Sequence, residues 1–132
     1  MSTLEETVRG LKYDSAGLIP AVITDAGTHE VLMVAYMNEQ SLLETIRSKK
    51  THFWSRSRQK YWMKGESSGH TQEVQDMFID CDLDCLVITV TQHGAACHEG
   101  FRSCFFRRLT ADGTWETIGQ RLFDPEKIYK KS

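Results

Sequence analysis

The chain has 132 residues and a formal net charge of −2, with 40% hydrophobic and 26% charged residues, which is typical of one folded globular domain rather than a disordered segment. The negative net charge argues against general nucleic-acid binding, which needs a basic surface. The longest apolar run, residues 31–37, is too short to cross a membrane, and residues 1–10 lack the apolar stretch of a signal peptide. We therefore expect a cytoplasmic protein whose four cysteines are reduced thiols or metal ligands rather than disulfides.

The first predicted elements are a short helix and a hairpin. Residues 1–10 could form the helix, because their apolar residues recur at helical spacing. Residues 19–23 and 31–37 flank Asp25-Ala26-Gly27-Thr28, whose Asp and Gly favour a turn. This pattern predicts a β-hairpin.

One substantial helix is predicted directly after the hairpin. Asn38 is a good N-cap residue, and the helix is expected to extend from residue 39 to about residue 48. The basic residues at its end suit the negative end of the helix dipole and need no functional explanation. Its apolar stripe would consist of Leu42, Leu43 and Ile46.

Two further strands are predicted at residues 51–57 and 61–64, with a turn at residues 59–60. Alternation in the first strand separates two sets of side chains, Phe53, Ser55 and Ser57 on one face and Trp54, Arg56 and Arg58 on the other. The segment GESSGH, residues 65–70, follows with hydroxyls, backbone amides and two glycines, which could wrap a phosphate. By residue chemistry alone, the basic side chains here could equally be solvated surface charges.

The segment richest in reactive side chains is residues 80–104, DCDLDCLVITVTQHGAACHEGFRSC. It contains all four cysteines, three alternating aspartates and two of the five histidines. The β-branched run at residues 86–90 predicts a strand. If that strand already begins at Asp80, the three carboxylates share one face while Cys81 and Cys85 share the other.

Two kinds of metal ligand follow from this pattern. The carboxylates of Asp80, Asp82 and Asp84 repel one another unless a cation separates them, and such oxygen ligands suit Mg²⁺. The thiols of Cys81, Cys97 and Cys104 suit a softer metal, above all zinc. On a straight strand the two sets point to opposite faces, so a bend or a second chain would be needed to bring both metals together.

The residues alone leave other interpretations open. The alternating acids could be the solvated face of an edge strand, and the cysteine spacing lacks the CxxC pattern of common zinc sites. Cys85 would lie about 13 Å from Cys81 along an extended strand, too far to share a metal. We expect Cys85 to be a small buried hydrophobic residue.

The end of the chain adds one more hairpin signal, Asp112-Gly113 before Thr114-Trp115. Asp124-Pro125 then opens a polar tail without recognisable chemistry. No repeat, low-complexity segment or linker divides the sequence, so residues 1–132 are expected to form one domain. We expect a mainly β fold, α+β by helix content: a compact antiparallel β domain with one substantial helix.

Several multi-residue blocks occur in one order along residues 11–107. DCDLDC is followed by GAACHEGFRSCFFR, and GLIPAVITDAGTHEVLMVAYMNEQSL and FWSRSRQKYWMKGESSGH lie upstream. In these blocks the chain resembles the phosphoribosyl-AMP cyclohydrolase family of histidine biosynthesis. The resemblance implies a zinc- and magnesium-dependent enzyme that opens the adenine ring of 1-(5-phosphoribosyl)-AMP at the N1–C6 bond, and an intertwined homodimer. We also expect a monofunctional enzyme, because the chain ends soon after these blocks and leaves no room for the pyrophosphohydrolase domain fused in some relatives.

The family's residue roles transfer to matching positions. The zinc ligands would be Cys81, Cys97 and Cys104, at a site shared between two chains. The magnesium ligands, expected near a substrate phosphate, would be Asp80, Asp82 and Asp84.

The remaining site candidates come from the chemistry that the reaction needs. His98, beside Cys97, is the candidate for proton transfer because imidazole titrates near neutral pH; the alternative is a loop histidine that only makes hydrogen bonds. A base and two phosphates must be held, and the candidate substrate contacts are Trp54, Arg56, Arg58, Lys64 and Ser68.

Two other functions would use some of the same residues. A zinc-dependent nucleobase deaminase also attacks a ring carbon, but that family carries H-x-E and P-C-x-x-C. Here His98 and Glu99 are adjacent and P-C-x-x-C is absent. A non-catalytic, zinc-stabilised interaction domain would explain the thiols, but it leaves the aspartates and the segment at residues 54–69 without a role.

Overall fold

Eight strands and two helices lie between residues 3 and 122, the part of the chain that the computed structural model describes. The helices are α1 (Leu4–Arg9) and α2 (Glu39–Ser48). The strands are β1 (Ile19–Asp25), β2 (Val31–Met37), β3 (His52–Ser55), β4 (Lys60–Met63), β5 (Gln72–Ile79), β6 (Leu86–Gln92), β7 (Arg107–Leu109) and β8 (Trp115–Thr117). The polar tail predicted from Asp124 lies outside the described residues.

The first hairpin and α2 form where local signals predict them. β1 and β2 pair in antiparallel fashion, and Asp25 Oδ2 accepts hydrogen bonds from the turn amides of Gly27 and Thr28 at 3.0 and 2.8 Å. The Asn38 side chain accepts a hydrogen bond from the Ser41 amide at 2.8 Å, and the Ser41 hydroxyl accepts one from the Asn38 amide at 2.9 Å. This reciprocal cap fixes the start of the helix.

Six strands form the main sheet in the order β4-β3-β2-β1-β6-β5. Neighbouring strands are antiparallel except for β1 and β6, which run parallel with Ala21 opposite Leu86. The mainly β prediction is confirmed, but the expected antiparallel sheet is mixed at this central pair. Long-range pairing of this kind has no local sequence signal, because more than half of the sheet lies between the two strands along the chain.

The core lies between one sheet face and the two helices. Alternate residues of β1 and β6 are buried, as a half-buried strand requires. The Phe53 side chain is fully buried, and its ring lies 5.0 Å from the Trp62 ring between centroids. Val8 of α1 and Leu42 of α2 belong to the same core cluster.

The opposite sheet face carries a row of apolar side chains, here called the outer row. Its members face one another across β2, β1, β6 and β5 and are Val34, Val22, Val87 and Phe78. Val34, Val87 and Phe78 are 46%, 37% and 56% exposed. The outer row is therefore apolar surface that the single chain leaves open to solvent.

The strand predicted at residues 86–90 forms, but it does not extend back to Asp80. β5 ends at Ile79 and β6 begins at Leu86, so residues 80–85 form the turn of an antiparallel hairpin. Asp80 Oδ1 accepts hydrogen bonds from the amides of Asp84 and Cys85 at 3.0 and 3.3 Å. The φ angle of Leu83 is 64°, a left-handed conformation that an extended strand does not contain. The Asp80 carboxylate competes for backbone amides, and this favours a turn over a strand.

The predicted strand at residues 51–57 is also shorter than expected. β3 ends at Ser55, and residues 56–59 turn into β4. Trp54 still faces away from Phe53, but Arg56 and Arg58 lie in the turn and the strand alternation does not extend to them. The hairpin predicted at Asp112-Gly113 is confirmed as β7 and β8. No helix among residues 3–122 is long and apolar enough to span a membrane.

Candidate functional site

Two loops on one side of the sheet carry most of the predicted site residues. Residues 64–71 connect β4 to β5, and residues 93–104, here called the cysteine loop, follow β6. The Gln92 side-chain amide joins them, since its Nε2 donates to the His70 and His93 carbonyls at 3.4 and 3.2 Å. This role of Gln92 was not predicted from the sequence. The sequence does contain a sign of it: the alternation of β6 predicts a buried side chain at position 92, and a buried glutamine needs hydrogen-bond partners.

A first cavity of about 610 Å³ opens between these loops. It brings together four of the residues predicted from the sequence, Arg58, Lys64, Ser68 and His98. The other lining residues are Trp62, Met63, Gly65, Glu66 and Ser67. Candidates for proton transfer and for phosphate contact, widely spaced in the sequence, thus line one cavity.

Glycine 65 shapes the wall of this cavity. Gly65 has a φ of 85°, and a Cβ there would lie 2.6 Å from the Thr71 backbone nitrogen, so only glycine fits. The Gly69 amide donates to the Gly65 carbonyl at 2.8 Å and closes the turn. This turn presents Ser67 and Ser68 to the cavity.

A second cavity of about 590 Å³ adjoins the first and shares Arg58 and Trp62 with it. It contains two more predicted substrate contacts, Trp54 and Arg56. The Arg56 guanidinium lies 3.9 Å from the Tyr36 ring centroid, a cation–π arrangement that holds the arginine at the cavity wall. The predicted substrate contacts therefore fall into two neighbouring cavities.

The cysteine loop brings two thiols together. The Cys97 amide donates to the Phe101 carbonyl at 3.1 Å, and the Cys104 amide donates to the Leu32 carbonyl at 2.7 Å. Cys97 is buried, and its thiol lies near the thiol of Cys104. Although Cys104 is exposed over part of its surface, desolvation of its sulfur and the neighbouring Cys97 raise the pKa of Cys104 to about 11. Two adjacent thiols are a suitable partial ligand set for a soft metal.

Lys64 connects the first cavity to these thiols. Its ammonium donates a hydrogen bond to the carbonyl of Ala96, the residue before Cys97. Burial lowers the pKa of Lys64, while the nearby thiols of Cys104 and Cys97 act in the opposite direction. Lys64 therefore links the cavity wall to the residue that precedes Cys97.

Arg102 attaches the cysteine loop to the first hairpin. Its guanidinium pairs with Asp25 and, at 3.2 Å, with Glu30 Oε1. The hydroxyl of the next residue, Ser103, donates to the Val31 carbonyl at 2.7 Å. These contacts could not be predicted from the sequence, because they join residues more than 70 positions apart.

The three aspartates cluster on the exposed turn at residues 80–85. A hydrogen bond with Asp80, burial and the neighbouring carboxylates raise the pKa of Asp84, whereas backbone hydrogen bonding from Asp84 lowers the pKa of Asp80. The contact between the Asp80 and Asp84 carboxyl groups, with Asp82 also near Asp84, brings the three side chains to one turn. Their oxygen atoms suit a hard cation such as Mg²⁺.

Cys81 lies on the same exposed turn, with its thiol 3.3 Å from Asp82 Oδ1. The expectation of opposite strand faces for Cys81 and the aspartates is wrong, because these residues form a turn. The same finding removes the extended-strand argument that separated Cys85 from Cys81. Cys85 is half-buried rather than buried, with its sulfur 3.9 Å from the Leu86 carbonyl.

The predicted metal ligands are only partly assembled among the described residues. Cys97 and Cys104 meet and the aspartates cluster, but within residues 3–122 no group of three or more His, Cys, Asp or Glu side chains is arranged to hold a metal ion. The donor chemistry fits the two metals, but the described residues bring together only two of the three predicted zinc ligands.

Comparison with known proteins decides the family. The family model described as phosphoribosyl-AMP cyclohydrolase matches residues 33–106. A phosphoribosyl-AMP cyclohydrolase of Pelotomaculum thermopropionicum is 54% identical over 92% of this chain and 94% of the relative. The chain belongs to the phosphoribosyl-AMP cyclohydrolase family. Relatives of the same name from Methanococcoides burtonii and Chlorobaculum tepidum are 50% and 49% identical, over 90% and 98% of this chain and 95% and 94% of their own lengths.

Membership of the phosphoribosyl-AMP cyclohydrolase family makes this chain an enzyme, a hydrolase. Every site residue predicted from the sequence lies within the matched region. The family assignment decides against the nucleobase deaminase and against the non-catalytic zinc-stabilised domain.

Proposed function

We propose that this chain hydrolyses the N1–C6 bond in the adenine ring of 1-(5-phosphoribosyl)-AMP, the third step of histidine biosynthesis, and acts in the cytoplasm, where its thiols stay reduced. The family assignment supports the reaction. The observation that carries the proposal for this site is the first cavity, which is lined by both Lys64 and His98 of the cysteine loop.

The reaction adds one water molecule across a ring bond. The water oxygen bonds to C6, one hydrogen moves to the exocyclic nitrogen, and the N1–C6 bond breaks as N1 takes the other hydrogen. The product is a formimino-aminoimidazole carboxamide ribonucleotide. We assign this proton transfer to His98, which takes a proton from water and returns it to N1.

The metal assignments follow the donor chemistry of the chain. A zinc ion bound by thiolates would supply the Lewis acidity that makes water nucleophilic near neutral pH. We assign it to Cys97 and Cys104 of one chain and to Cys81 of the partner subunit. We assign magnesium to Asp80, Asp82 and Asp84, whose clustered oxygens suit a hard cation and would lie near a substrate phosphate.

Two observations support a homodimer. Within residues 3–122 no third thiol joins Cys97 and Cys104 in a metal-binding group, and a second copy that supplies Cys81 would complete the set. The outer row also leaves large apolar side chains such as Phe78 open to solvent, and contiguous exposed apolar surface is typical of a protein interface. We propose that a second copy of this chain covers the outer row.

The two cavities match a substrate with two phosphorylated ends. We assign one end to Lys64 and Ser68 in the first cavity, and the other to Arg56 in the second, with Trp54 against a base or ribose. Arg58 lines both cavities and would contact the substrate between them. Arginine suits phosphate because its guanidinium can donate two parallel hydrogen bonds.

The test is turnover by the purified chain with 1-(5-phosphoribosyl)-AMP, zinc and magnesium, together with metal analysis. We expect ring opening and about one zinc per chain, lost with activity in Cys97→Ala and in Cys104→Ala. His98→Asn should lose turnover but keep zinc. Release of ammonia would support deamination instead. Bound zinc without any turnover would support a structural zinc domain.

A further inference from the structure

Lys64 occupies the boundary between the first cavity and the cysteine loop. Its backbone amide donates to the Thr51 carbonyl at 3.1 Å, which fixes the residue just after β4. Its side chain extends to the Ala96 carbonyl, 32 residues along the chain. The ammonium lies 6.0 Å from the Trp62 ring centroid. The side chain is thus held from both sides rather than free in solvent.

The carbonyl that Lys64 contacts is itself buried. Ala96 is 1% exposed, so water has little access to this acceptor. A buried backbone carbonyl that loses its donor destabilises the conformation that buries it. The Ala96 and Cys97 amides already bond across the loop to the Arg102 and Phe101 carbonyls at 2.9 and 3.1 Å. The Lys64 bond therefore adds the contact that attaches this turn to the wall of the cavity.

The charge of Lys64 acts on the same loop. The ammonium is close enough to Cys97 and Cys104 to interact electrostatically with both sulfurs. Three thiolates around a divalent zinc leave a net negative charge, and a fixed cation beside them offsets it in a partly desolvated site.

We propose that Lys64 is a positioning residue for the Cys97–Cys104 pair: it holds the Ala96 carbonyl and places a positive charge beside the two sulfurs. This role adds to its proposed contact with substrate phosphate and rests on the proposed function only for the identity of the metal. The two roles predict different results, because a phosphate contact alone changes KM and leaves zinc affinity unchanged.

Zinc affinity of the purified full chain, measured by competition with a chromophoric chelator, separates these roles. Lys64→Met keeps most of the unbranched side chain without the charge or the hydrogen bond, and we expect it to weaken zinc binding about 10- to 100-fold. Lys64→Arg should restore affinity to within about fivefold of wild type. The control is Lys60→Met, at an exposed position on β4, which should bind zinc like wild type. Wild-type affinity in Lys64→Met would overturn the proposal.

Hydrogen exchange in the metal-free protein gives a readout that does not depend on the metal assignment. In Lys64→Met, the Cys97 and Gly100 amides should exchange about five- to a hundredfold faster, because the loop loses a buried hydrogen bond. Lys64→Arg should keep their protection, and this variant decides the question if Lys64→Met does not fold. Unchanged exchange in Lys64→Met, or lost protection in a folded Lys64→Arg, would overturn the proposal. Failure of the wild-type protein to bind zinc would instead count against the proposed metal site.

Discussion

Replacing Arg102 by methionine removes the ion pairs that attach the cysteine loop to the first hairpin. Arg102 pairs with Asp25 and with Glu30. The Asp25 side chain is 11% exposed, whereas that of Arg102 is 38% exposed. Asp25 also caps the hairpin turn through Gly27 and Thr28, so the substitution leaves its carboxylate with those bonds alone.

The expected loss of stability follows from these exposures. A hydrogen bond to a charged group contributes about 1.5–3 kcal/mol, and an exposed ion pair such as that with Glu30 contributes about 0.5 kcal/mol or less. Because Arg102 is partly exposed, solvent screens its charge and favours the lower part of the range. We expect Arg102→Met to lower the free energy of unfolding by about 1–2 kcal/mol, and the Tm by about 3–10 °C.

The destabilisation caused by Arg102→Met should depend on pH, and the lowered pKa of Asp25 determines the direction of that dependence. Burial alone would raise the pKa of Asp25, but hydrogen bonds from Thr28 and Gly27 and the charge of Arg102 hold it below its usual value. A lowered pKa in the folded state means that ionised Asp25 stabilises the fold above its unfolded pKa of about 3.9. This stability is lost as the pH falls through the folded pKa. The difference between wild type and Arg102→Met should therefore be full at neutral pH and shrink below about pH 4.

Urea unfolding of both proteins at neutral pH and at about pH 3.5 measures this difference. The matched control is Arg108→Met, which breaks an ion pair with Glu116 whose side chains are 69% and 42% exposed. It should cost about 0.5 kcal/mol or less. No destabilisation by Arg102→Met at neutral pH, or an equal loss at both pH values, would refute the reasoning.

Three further substitutions test separate parts of the account. Asp82→Asn should weaken magnesium dependence and substrate binding more than zinc content, because carboxylates suit the hard metal and thiols the soft one; equal loss of both metals would contradict this. Asn38→Ala removes the cap that bonds to Ser41 and should cost about 1 kcal/mol in thermal unfolding, while Asn38→Asp stays within a few tenths; equal Tm values for the two variants would argue against the cap. Cys85→Ser should keep its zinc, because we assign the metal to the other three thiols. Metal analysis that finds zinc missing there would make Cys85 a ligand.

Local signals predicted the elements that local contacts stabilise. The hairpin turn depends on Asp25 and the two amides that follow it closely, and α2 depends on Asn38 and Ser41. All these contacts span three residues or fewer. The parallel pairing of β1 with β6 depends instead on the topology of the four strands between them in the sequence. No sequence pattern within either strand distinguishes parallel from antiparallel neighbours there.

The turn at residues 80–85 shows how a correct pattern can mislead. The alternation of acids and cysteines has the period of a strand, but Asp80 Oδ1 accepts two backbone amides of the same segment. The spacing of residue types alone does not show such hydrogen bonds between a side chain and nearby backbone amides. In the site, residue chemistry and the family resemblance named Arg58, Lys64, Ser68 and His98 one by one. That they line one cavity could not be predicted, because three of them come from one hairpin and the loop after it and the fourth from the cysteine loop.

A subunit-mixing experiment tests most directly the claim that the zinc site is shared between chains. Inactive Cys81→Ala chains are mixed with inactive Cys97→Ala chains under conditions that permit subunit exchange, and turnover of 1-(5-phosphoribosyl)-AMP is measured. Each mixed dimer regains one intact site, built from the unmutated Cys81 of one chain and from Cys97 and Cys104 of the other. Activity should recover to as much as about a quarter of wild type, since random exchange makes half of the dimers mixed and each has one of two sites intact. A mixture that stays inactive after verified exchange would contradict a shared site.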